Sequence, residues 1–281
     1  IAHDQSGWAV SLNSSGNIVA IGSHFSSNNG YQSGHVSVFE NIGGSWTQIG
    51  NDINGELAGD ACGQSVSLNS IGNIVAIGSP NNDGNGSYAG HVRIYENIGG
   101  SWSQIGQDID GEASFDLSGH SVSISDNGLT VAIGAHGNHA NGLGYYSGHV
   151  RIFEYIGSDW SQTGQDIDAE AYNDYFGVSV SLSSNGSIIA SGGPYNDGYT
   201  LDAGHSRVFQ SSINTTGCAD LGCLDPLALN FDPYATVDDS SCVYPIYGCI
   251  DSLATNYNSL ANISDSNCTY CYANADIIPD T

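Results

Sequence analysis

The sequence predicts an all-β protein of the β-propeller class, because one unit recurs in register and each copy contains short strand patterns. A Gly-His motif followed by alternating apolar residues begins at Gly34 and returns at Gly90, Gly148 and Gly204, so the period is about 56 residues. The glycines that start the segments keep the same phase: Gly7, Gly63, Gly119 and Gly177. A supersecondary unit copied about three and a half times is typical of propellers and solenoids.

Each copy is predicted to contain four strands, seen best in the second copy at residues 64–69, 73–79, 91–96 and 102–109. Gly, Asn, Ser and Asp separate the first two strands, and these residues favour tight hairpin turns. The second strand is continuously apolar, which predicts burial on both faces, whereas the third alternates apolar residues with His91 and Arg93. Four short strands per unit is the pattern of a propeller blade.

The predicted propeller region spans residues 1–210, with three complete repeats and a fourth that lacks its Trp-bearing strand. The repeat boundaries are about 7–62, 63–118, 119–176 and 177–210. Three arrangements are compatible with this count. Further repeats precede the first, a four-bladed ring closes on itself, or a neighbouring molecule supplies the missing strands, since an open sheet edge invites pairing.

The repeats resemble a known family. Residues 176–180 read Phe-Gly-Val-Ser-Val and are followed by Gly-Gly-Pro at 192–194, with a weaker echo at 78–80. These motifs resemble the FG-GAP class of propeller repeat, in its bacterial variety, over roughly residues 1–210. The integrin-type repeat carries an Asp-rich calcium loop between the first two strands. This chain has Ser, Asn and Gly there, so those calcium sites are not expected.

Composition restricts the classes of function. The chain has only three Lys and Arg residues against 29 acids, which gives a formal charge of −26. Nucleic-acid binding is excluded because nothing would neutralise the phosphates. An acidic, Gly- and Asn-rich surface suits an extracellular or cell-surface protein and attracts divalent cations. No apolar run approaches about 18 residues, so no membrane insertion is expected, and any signal peptide is expected to have been cleaved.

The cysteines predict disulfide-bonded modules near the C-terminus. A second repeat runs from Gly222 through Cys242 and again from Gly248 through Cys268. We therefore predict modules at 222–245 and 246–271, between a linker at 211–221 and a tail at 272–281. Equal Cys spacing in small modules indicates disulfides in an oxidising compartment. The predicted pairs are Cys223–Cys242, Cys249–Cys268 and Cys218–Cys271, with Cys62 a buried free thiol.

These modules resemble the Cys-rich repeats of the form GCxDxxAxNYNxxAxxDDxSC that lie near the C-termini of secreted and surface proteins, many from Bacteroidota. The resemblance covers residues 222–268 and implies an extracellular stalk or connector. Oxygen-bearing side chains recur inside each disulfide loop, and calcium takes six to eight such ligands. The alternative is that these residues only cap turns. The candidate calcium ligands are Asp225, Asn230, Asp232, Asp238, Asp239, Asp251, Asn256, Asn258 and Asp265.

Residues that repeat in register are predicted to serve the blade itself. Histidines would hydrogen-bond a neighbouring turn, arginines would pair with an acid of an adjacent blade, and tryptophans would pack between blades. The alternatives are a metal ring for the histidines and sugar stacking for the tryptophans. Acids at the blade crossings form solvated turns or, alternatively, bind calcium. The repeated residues are His35, His91, His149 and His205; Arg93, Arg151 and Arg207; and Trp46, Trp102 and Trp160.

Four loops differ most between the copies, at residues 23–33, 79–89, 135–147 and 193–203. Variable loops on one rim of a rigid scaffold are where ligand recognition is expected. The chain also contains sequons that permit N-glycosylation in a eukaryotic secretory host. They lie at Asn13, Asn85, Asn185, Asn214, Asn262 and Asn267.

No sequence motif for hydrolase, metalloprotease or phosphate chemistry is present, so we do not expect an enzyme. The predicted function is a non-catalytic extracellular structural or adhesion protein, with copies of itself or cell-surface proteins and glycans as partners. It could form the repeating subunit of a surface filament. The alternative is a calcium-dependent carbohydrate-binding propeller that uses the variable loops.

Overall fold

A computed structural model describes residues 4–139, 142–198, 200–210, 221–222, 225, 227–229, 237–238 and 242–270. The described residues form strands and turns, without an α-helix. The chain divides into two compact units, residues 1–213 and 214–281. No helix within the described ranges is long and apolar enough to cross a bilayer.

The first unit contains four antiparallel sheets, one for each copy of the repeat. The first sheet comprises β1 (Ala9–Leu12), β2 (Ile18–Ser23), β3 (His35–Ile42), β4 (Ser45–Gln48) and β5 (Ile53–Asn54). The second comprises β6 (Ser65–Leu68), β7 (Ile74–Ser79), β8 (His91–Ile98), β9 (Ser101–Gln104) and β10 (Ile109–Asp110). The third comprises β11 (Ser121–Ile124), β12 (Thr130–Ala135), β13 (His149–Ile156), β14 (Asp159–Gln162) and β15 (Ile167–Asp168). The fourth comprises β16 (Ser179–Leu182), β17 (Ile188–Gly193) and β18 (His205–Gln210).

Strand order confirms the predicted repeated unit. In each sheet the first three strands form a meander with the same register, so that Ser65 faces Gly78 and Ser121 faces Gly134. The predicted fourth strand is split in two. In the second copy β9 and β10 both pair with β8, and Gly106 between them has a φ of +72°. The backbone turns at this glycine and then rejoins the sheet.

Successive sheets meet through glycine backbone. Gly134, in the second strand of the third sheet, lies so close to Gly177, at the start of the fourth, that a Cβ on Gly134 would overlap the Gly177 carbonyl oxygen. The same overlap would occur between Gly22 and Gly63 and between Gly78 and Gly119. A Cβ on the segment-starting Gly177 would in turn overlap the His149 carbonyl oxygen, and one on Gly119 would overlap that of His91. Neither glycine of the contact therefore leaves room for a side chain.

Serine side chains link the inner strands of neighbouring sheets. The Leu68 N–H donates to Ser11 Oγ at 3.0 Å, and Ile124 and Leu182 make the equivalent bonds to Ser67 and Ser123. These bonds satisfy N–H groups on the edge of each inner strand. The edge is thereby paired without a further strand.

Apolar side chains fill the joints between sheets. The joint between the second and third sheets buries Ile94 from one side and Val122 from the other. The tryptophans pack there as predicted, since Trp102 Nε1 donates to the Ile49 carbonyl and Trp160 Nε1 to the Ile105 carbonyl, both at 2.9 Å. Trp46, in the first sheet, is instead exposed.

The third strand differs from the expected half-exposed pattern. In β8 and β13 the first four residues are buried on both faces, including His91 and Arg93. The alternation expected between buried apolar and exposed polar residues was therefore wrong. Its physical reason is that the polar face of each strand is covered by the preceding sheet, whose carboxylates and carbonyls pair with it.

The outer faces of the first and fourth sheets are open. Val10 and Leu12 are 65% and 59% exposed, whereas Val66 and Leu68, their equivalents in the second sheet, are 9% and 7% exposed. At the other end of the array Val208 is 68% exposed. The described residues thus form a row of four sheets that does not close on itself, and the four-bladed ring is excluded for them.

The second unit contains the short parallel pairs β19 (Leu221–Gly222) with β20 (Val237–Asp238) and β21 (Tyr247–Gly248) with β22 (Ile263–Ser264). The predicted Cys249–Cys268 disulfide is present, with Cα atoms 4.9 Å apart. Cys242 is also disulfide-bonded, but its predicted partner Cys223 lies outside the described residues, as do Cys218 and Cys271. Cys62 is a free, fully buried thiol, as predicted.

Replacing the joint glycine should destabilise the fold. We expect Gly134→Ala to lower the free energy of unfolding by about 3 kcal/mol or more, because overpacking against rigid backbone cannot relax. Gly192→Ala is the matched control, since this equivalent glycine of the fourth sheet meets only the Ser179 hydroxyl. Urea unfolding followed by circular dichroism measures both, and equal losses for the two variants would contradict the glycine contact as the cause.

Candidate functional site

The repeated polar residues form a contact that recurs at each joint between successive sheets. They lie on the face of each sheet that packs against the preceding sheet. Arg93 Nη2 donates to the Asn54 carbonyl at 2.8 Å, and Arg93 Nη1 lies 3.5 Å from Glu56 Oε1. Arg151 makes the same contacts to Asp110 and Glu112, and Arg207 to Asp168 and Glu170. The predicted pairing of each arginine with an acid of the adjacent repeat is confirmed.

The acids at the sheet crossings divide into distinct structural roles. Asp116 is buried, and its Oδ2 accepts the backbone N–H groups of Glu112 and Ala113 at 3.0 and 2.9 Å. Asp60 and Asp174 cap the equivalent turns. The expectation of a solvated turn was wrong at these three positions, because each carboxylate lies inside the turn it closes.

Two groups of His, Asp and Glu have the proximity that a metal site needs. Their ligand atoms lie within 4.8 Å of one another. In the third sheet His149 Nδ1 lies 3.5 Å from Asp166 Oδ2, and this contact lowers the pKa of Asp166 to about 2. The Arg151 guanidinium, however, faces the same Glu112 and supplies a competing positive charge. The two groups are Glu56, His91 and Asp108, and Glu112, His149 and Asp166.

The predicted calcium ligands of the second module lie in turns. Asp251 Oδ1 accepts the Leu253 N–H, and Asn258 and Asp265 likewise accept the N–H of the residue two positions later. These three bonds are those of the turn-capping alternative. Asn256 Oδ1 instead accepts the N–H of Thr269, thirteen residues later. In the first module, Asp225 Oδ1 accepts the Leu227 N–H. Asn230, Asp232, Asp239 and the Asp238 side chain lie outside the described residues, and calcium binding stays a prediction.

The sequons differ in accessibility. Asn85, Asn185, Asn262 and Asn267 are exposed. Asn13 is buried, and its Nδ2 donates to Ser15 Oγ and Asn17 Oδ1. A glycan on this amide nitrogen would replace one of its two hydrogens and so cost one of these bonds, and glycosylation at Asn13 stays a prediction. Asn214 lies outside the described residues.

The exposed aromatic residues of the first unit gather at one end of the sheets. We define the loop end as the end where each third strand begins, formed by the four variable loops and by the connections between sheets. As predicted, all four variable loops lie at this end. The opposite end and the outer strands carry one exposed aromatic in the described ranges, Trp46. The aromatics at the loop end are Trp8, Tyr31, Tyr88, Phe115, Tyr145, Tyr146, Tyr172 and Tyr195.

A cavity of about 390 Å³ opens at the loop end of the first three sheets. Burial lowers the pKa of His24 and of His120, and burial together with His120 lowers the pKa of His136 to about 3. The three imidazoles are therefore neutral at pH 7. The residues that line the cavity are Trp8, His24, Phe25, Ala61, Gln64, Pro80, Asn81, Leu117, His120 and His136.

The cavity is built from positions at which the repeats differ. The residue after the segment-starting glycine is Trp8 in the first copy, Gln64 in the second and His120 in the third. The first loop residue after the second strand is likewise His24 in one copy and His136 in another, with proline in the remaining two. Five of the lining residues lie in the variable loops where ligand recognition was expected: His24, Phe25, Pro80, Asn81 and His136. Trp8, Gln64 and His120 lie outside those loops and were not predicted. A position-by-position comparison of the copies for departures from the repeat could have found them.

No family model matches the chain, and no curated protein matches it. Among solved structures it is similar to a hydrazine synthase from Kuenenia stuttgartiensis at 12% identity and a TM-score of 0.46, over 73% of this chain and 58% of that one. It is also similar to a complex of KlAtg21 with the coiled coil of AgAtg16, at 12% identity and a TM-score of 0.49, over 73% and 54%. The chain thus spans little more than half the length of these structures, and the likeness supports no functional assignment.

The buried histidines should make stability depend on pH. Between the pKa of His136 and the value of about 6.5 for free histidine, the unfolded chain binds more protons, so stability is lost as pH falls. We expect the urea midpoint of the wild type to fall from pH 7 to pH 5, and to fall less in His136→Gln. His139→Gln, an exposed neighbour in the same loop, is the control. An unchanged slope in His136→Gln would contradict the assignment.

Proposed function

We propose that this protein is a non-catalytic structural or adhesion component outside the cell, built on propeller-type blades. Its copies associate head to tail, with the open face of the first sheet of one copy packing on the open face of the fourth sheet of the next. Repetition of such contacts would produce a filament.

The observation that carries this proposal is that the two open faces bear the parts of an internal joint. Val10 and Leu12 stand where Val66 and Leu68 are buried by the preceding sheet. On the other side, Ile188 and Val208 stand where Ile74 and Ile94 are buried by the following sheet. Contiguous exposed apolar surface of this kind marks an interaction site.

The backbone parts of the joint are also present and unused. Gly7 has a φ of +89° like Gly63, Gly119 and Gly177, yet no atom lies within 4 Å of a Cβ built on it. Gly192 of the fourth sheet meets no glycine of a following sheet among the described residues. Gly7 of one copy on Gly192 of the next would therefore repeat the internal contact.

One element of the internal joint is missing from the open face. Ser37 stands where the later repeats have arginine, and its hydroxyl donates to Asp52 Oδ1 at 2.6 Å within its own sheet. A joint between copies would thus lack the arginine contacts to the preceding repeat. We therefore expect association between copies to be weaker than the contacts within one chain, and reversible.

The extracellular setting is supported by composition and by the disulfides. An intact Cys249–Cys268 bridge and a disulfide-bonded Cys242 suit an oxidising compartment. The charge of −26 keeps such a protein soluble while opposing its self-association.

A charge placed on either open face should weaken the association between copies. We expect Leu12→Asp and, separately, Val208→Asp to weaken it by more than about tenfold, because burying an unpaired carboxylate costs several kcal/mol and 1.4 kcal/mol is tenfold. Sedimentation velocity over a range of protein concentrations measures the effect. Ile98→Asp is the matched control, since Ile98 is equally exposed but lies in the hairpin between β8 and β9.

Mixing the two variants tests the head-to-tail geometry itself. Leu12→Asp retains its fourth-sheet face and Val208→Asp retains its first-sheet face, so an equimolar mixture should form a one-to-one dimer that cannot grow. A wild-type protein that stays monomeric at all concentrations would refute the proposal. A mixture that fails to dimerise would show that association does not use these two faces together.

Association between copies should depend on salt concentration and on calcium. The Debye length falls from about 30 Å at 10 mM salt to about 10 Å at 100 mM, so repulsion between acidic copies is screened and association should strengthen over that range. If the Cys-rich modules bind calcium, as we propose, CaCl₂ should strengthen association more than NaCl at equal ionic strength, and EDTA should reverse the difference. Light scattering checks both; weaker association at higher salt would contradict the electrostatic part.

A further inference from the structure

We propose that the loop-end cavity binds a neutral saccharide, and does so without a metal ion. This site is separate from the open faces that join copies, and it deepens the adhesion function by naming a class of ligand. Its lining comes from the first three sheets and the connections between them.

An aromatic surface forms one side of the cavity. Trp8 is 56% exposed, and its ring lies 4.4 Å from that of His24, which in turn lies 4.1 Å from that of Phe25. A pyranose ring has apolar C–H faces that pack on such aromatic faces, while its hydroxyls remain at the edge. Exposed aromatic rings with polar neighbours are the usual composition of a small-ligand site.

Polar groups in the cavity can both donate and accept hydrogen bonds. The amides of Gln64 and Asn81 do so, and each neutral imidazole has one donor and one acceptor nitrogen. The Nδ1 atoms of His24 and His136 are buried and have no hydrogen-bond partner among the described residues. Because these two nitrogens have almost no accessible surface, the amides of Gln64 and Asn81 are the groups that would bond a ligand hydroxyl.

Charge disfavours an anionic ligand. The lining contains no Asp, Glu, Lys or Arg, and the chain as a whole carries −26. A phosphate, sulfate or carboxylate would be repelled and would find no cation. The lack of carboxylates also removes the usual calcium ligands, so this site differs from the calcium-dependent carbohydrate-binding propeller that the sequence left as the alternative.

The aromatic surface continues beyond the cavity. The His136 ring lies 5.5 Å from that of Tyr175, which stacks on Tyr146 at 5.0 Å and contacts Tyr195 at 4.9 Å. A row of rings from the first sheet to the fourth is longer than one sugar. We therefore infer an oligosaccharide rather than a monosaccharide.

The test uses the full chain carrying Val208→Asp, so that self-association does not contribute to binding. The protein is first screened in EDTA against a printed panel of neutral gluco-, manno-, galacto- and N-acetylglucosamine oligosaccharides. Sialylated sugars, sulfated sugars and choline are tested alongside as charged competitors. The best neutral oligosaccharide is then titrated calorimetrically into the protein and into its Trp8→Ala, Gln64→Ala and Trp46→Ala forms. Trp46 is the control, since it is a similarly exposed tryptophan outside the loop end.

We expect a neutral oligosaccharide to bind in EDTA, with affinity about tenfold lower in Trp8→Ala and in Gln64→Ala but unchanged in Trp46→Ala. Binding should be constant between pH 6 and pH 8. The proposal is overturned if no neutral sugar binds, if EDTA abolishes binding, if Trp46→Ala weakens it as much as Trp8→Ala, or if choline or an anionic sugar is preferred. Because the measurement is made on monomers, none of these outcomes depends on whether copies associate.

Discussion

The contact between glycine backbones at each joint is the constraint on which the rest of the first unit depends. Gly22, Gly78 and Gly134 each leave room for one carbonyl oxygen of the following sheet and for nothing larger. This sets the distance between sheets. At that distance the inner strands are near enough for the serine bonds, and the apolar faces are near enough to exclude water. A side chain at the contact would separate the sheets and weaken all of these interactions together.

The joint also explains how a chain with three basic residues arranges its acids. Each arginine lies in a third strand and reaches the preceding repeat, where it bonds a carbonyl and faces a glutamate. Other acids of the crossings bond neutral groups: Gln104 Nε2 donates to Asp108 at 2.6 Å, and backbone N–H groups donate to Asp116. Carboxylates that accept such bonds remain charged at low cost. The acids of the crossings thus order the connections between sheets.

How much could be predicted from the sequence depended on whether a residue's partner lies in the same repeat. The antiparallel sheets and their period were predictable, because strand alternation and Gly-Asn turns are local signals. The split outer strand and the burial of His91 and Arg93 were not, since both depend on the adjacent sheet. Asp116 was taken for a solvated residue because it belongs to an acid-rich segment, and the backbone N–H groups that it accepts are not visible in a sequence pattern. Trp8, Gln64 and His120 were not predicted, because each directly follows a repeated glycine but differs from the other copies at its own position.

Positions that repeat form the contacts between sheets, whereas positions that differ between copies form the cavity. This division connects the proposal of association with the proposal of saccharide binding. The joint positions recur because each must match its neighbour, whereas Trp8, Gln64 and His120 are free to differ because their side chains line the cavity. Within one chain every joint keeps the loop ends of successive sheets on the same side. A joint between copies built on the same contacts would do so too, and would place many loop-end sites along one side of the assembly.

Single saccharide sites bind weakly, because the sugar exchanges hydrogen bonds with water for similar hydrogen bonds with protein. When many sites lie in a row, a surface that carries several saccharides binds at one site first, and its binding at the next site is then intramolecular. The avidity of the assembly therefore exceeds the affinity of any single site.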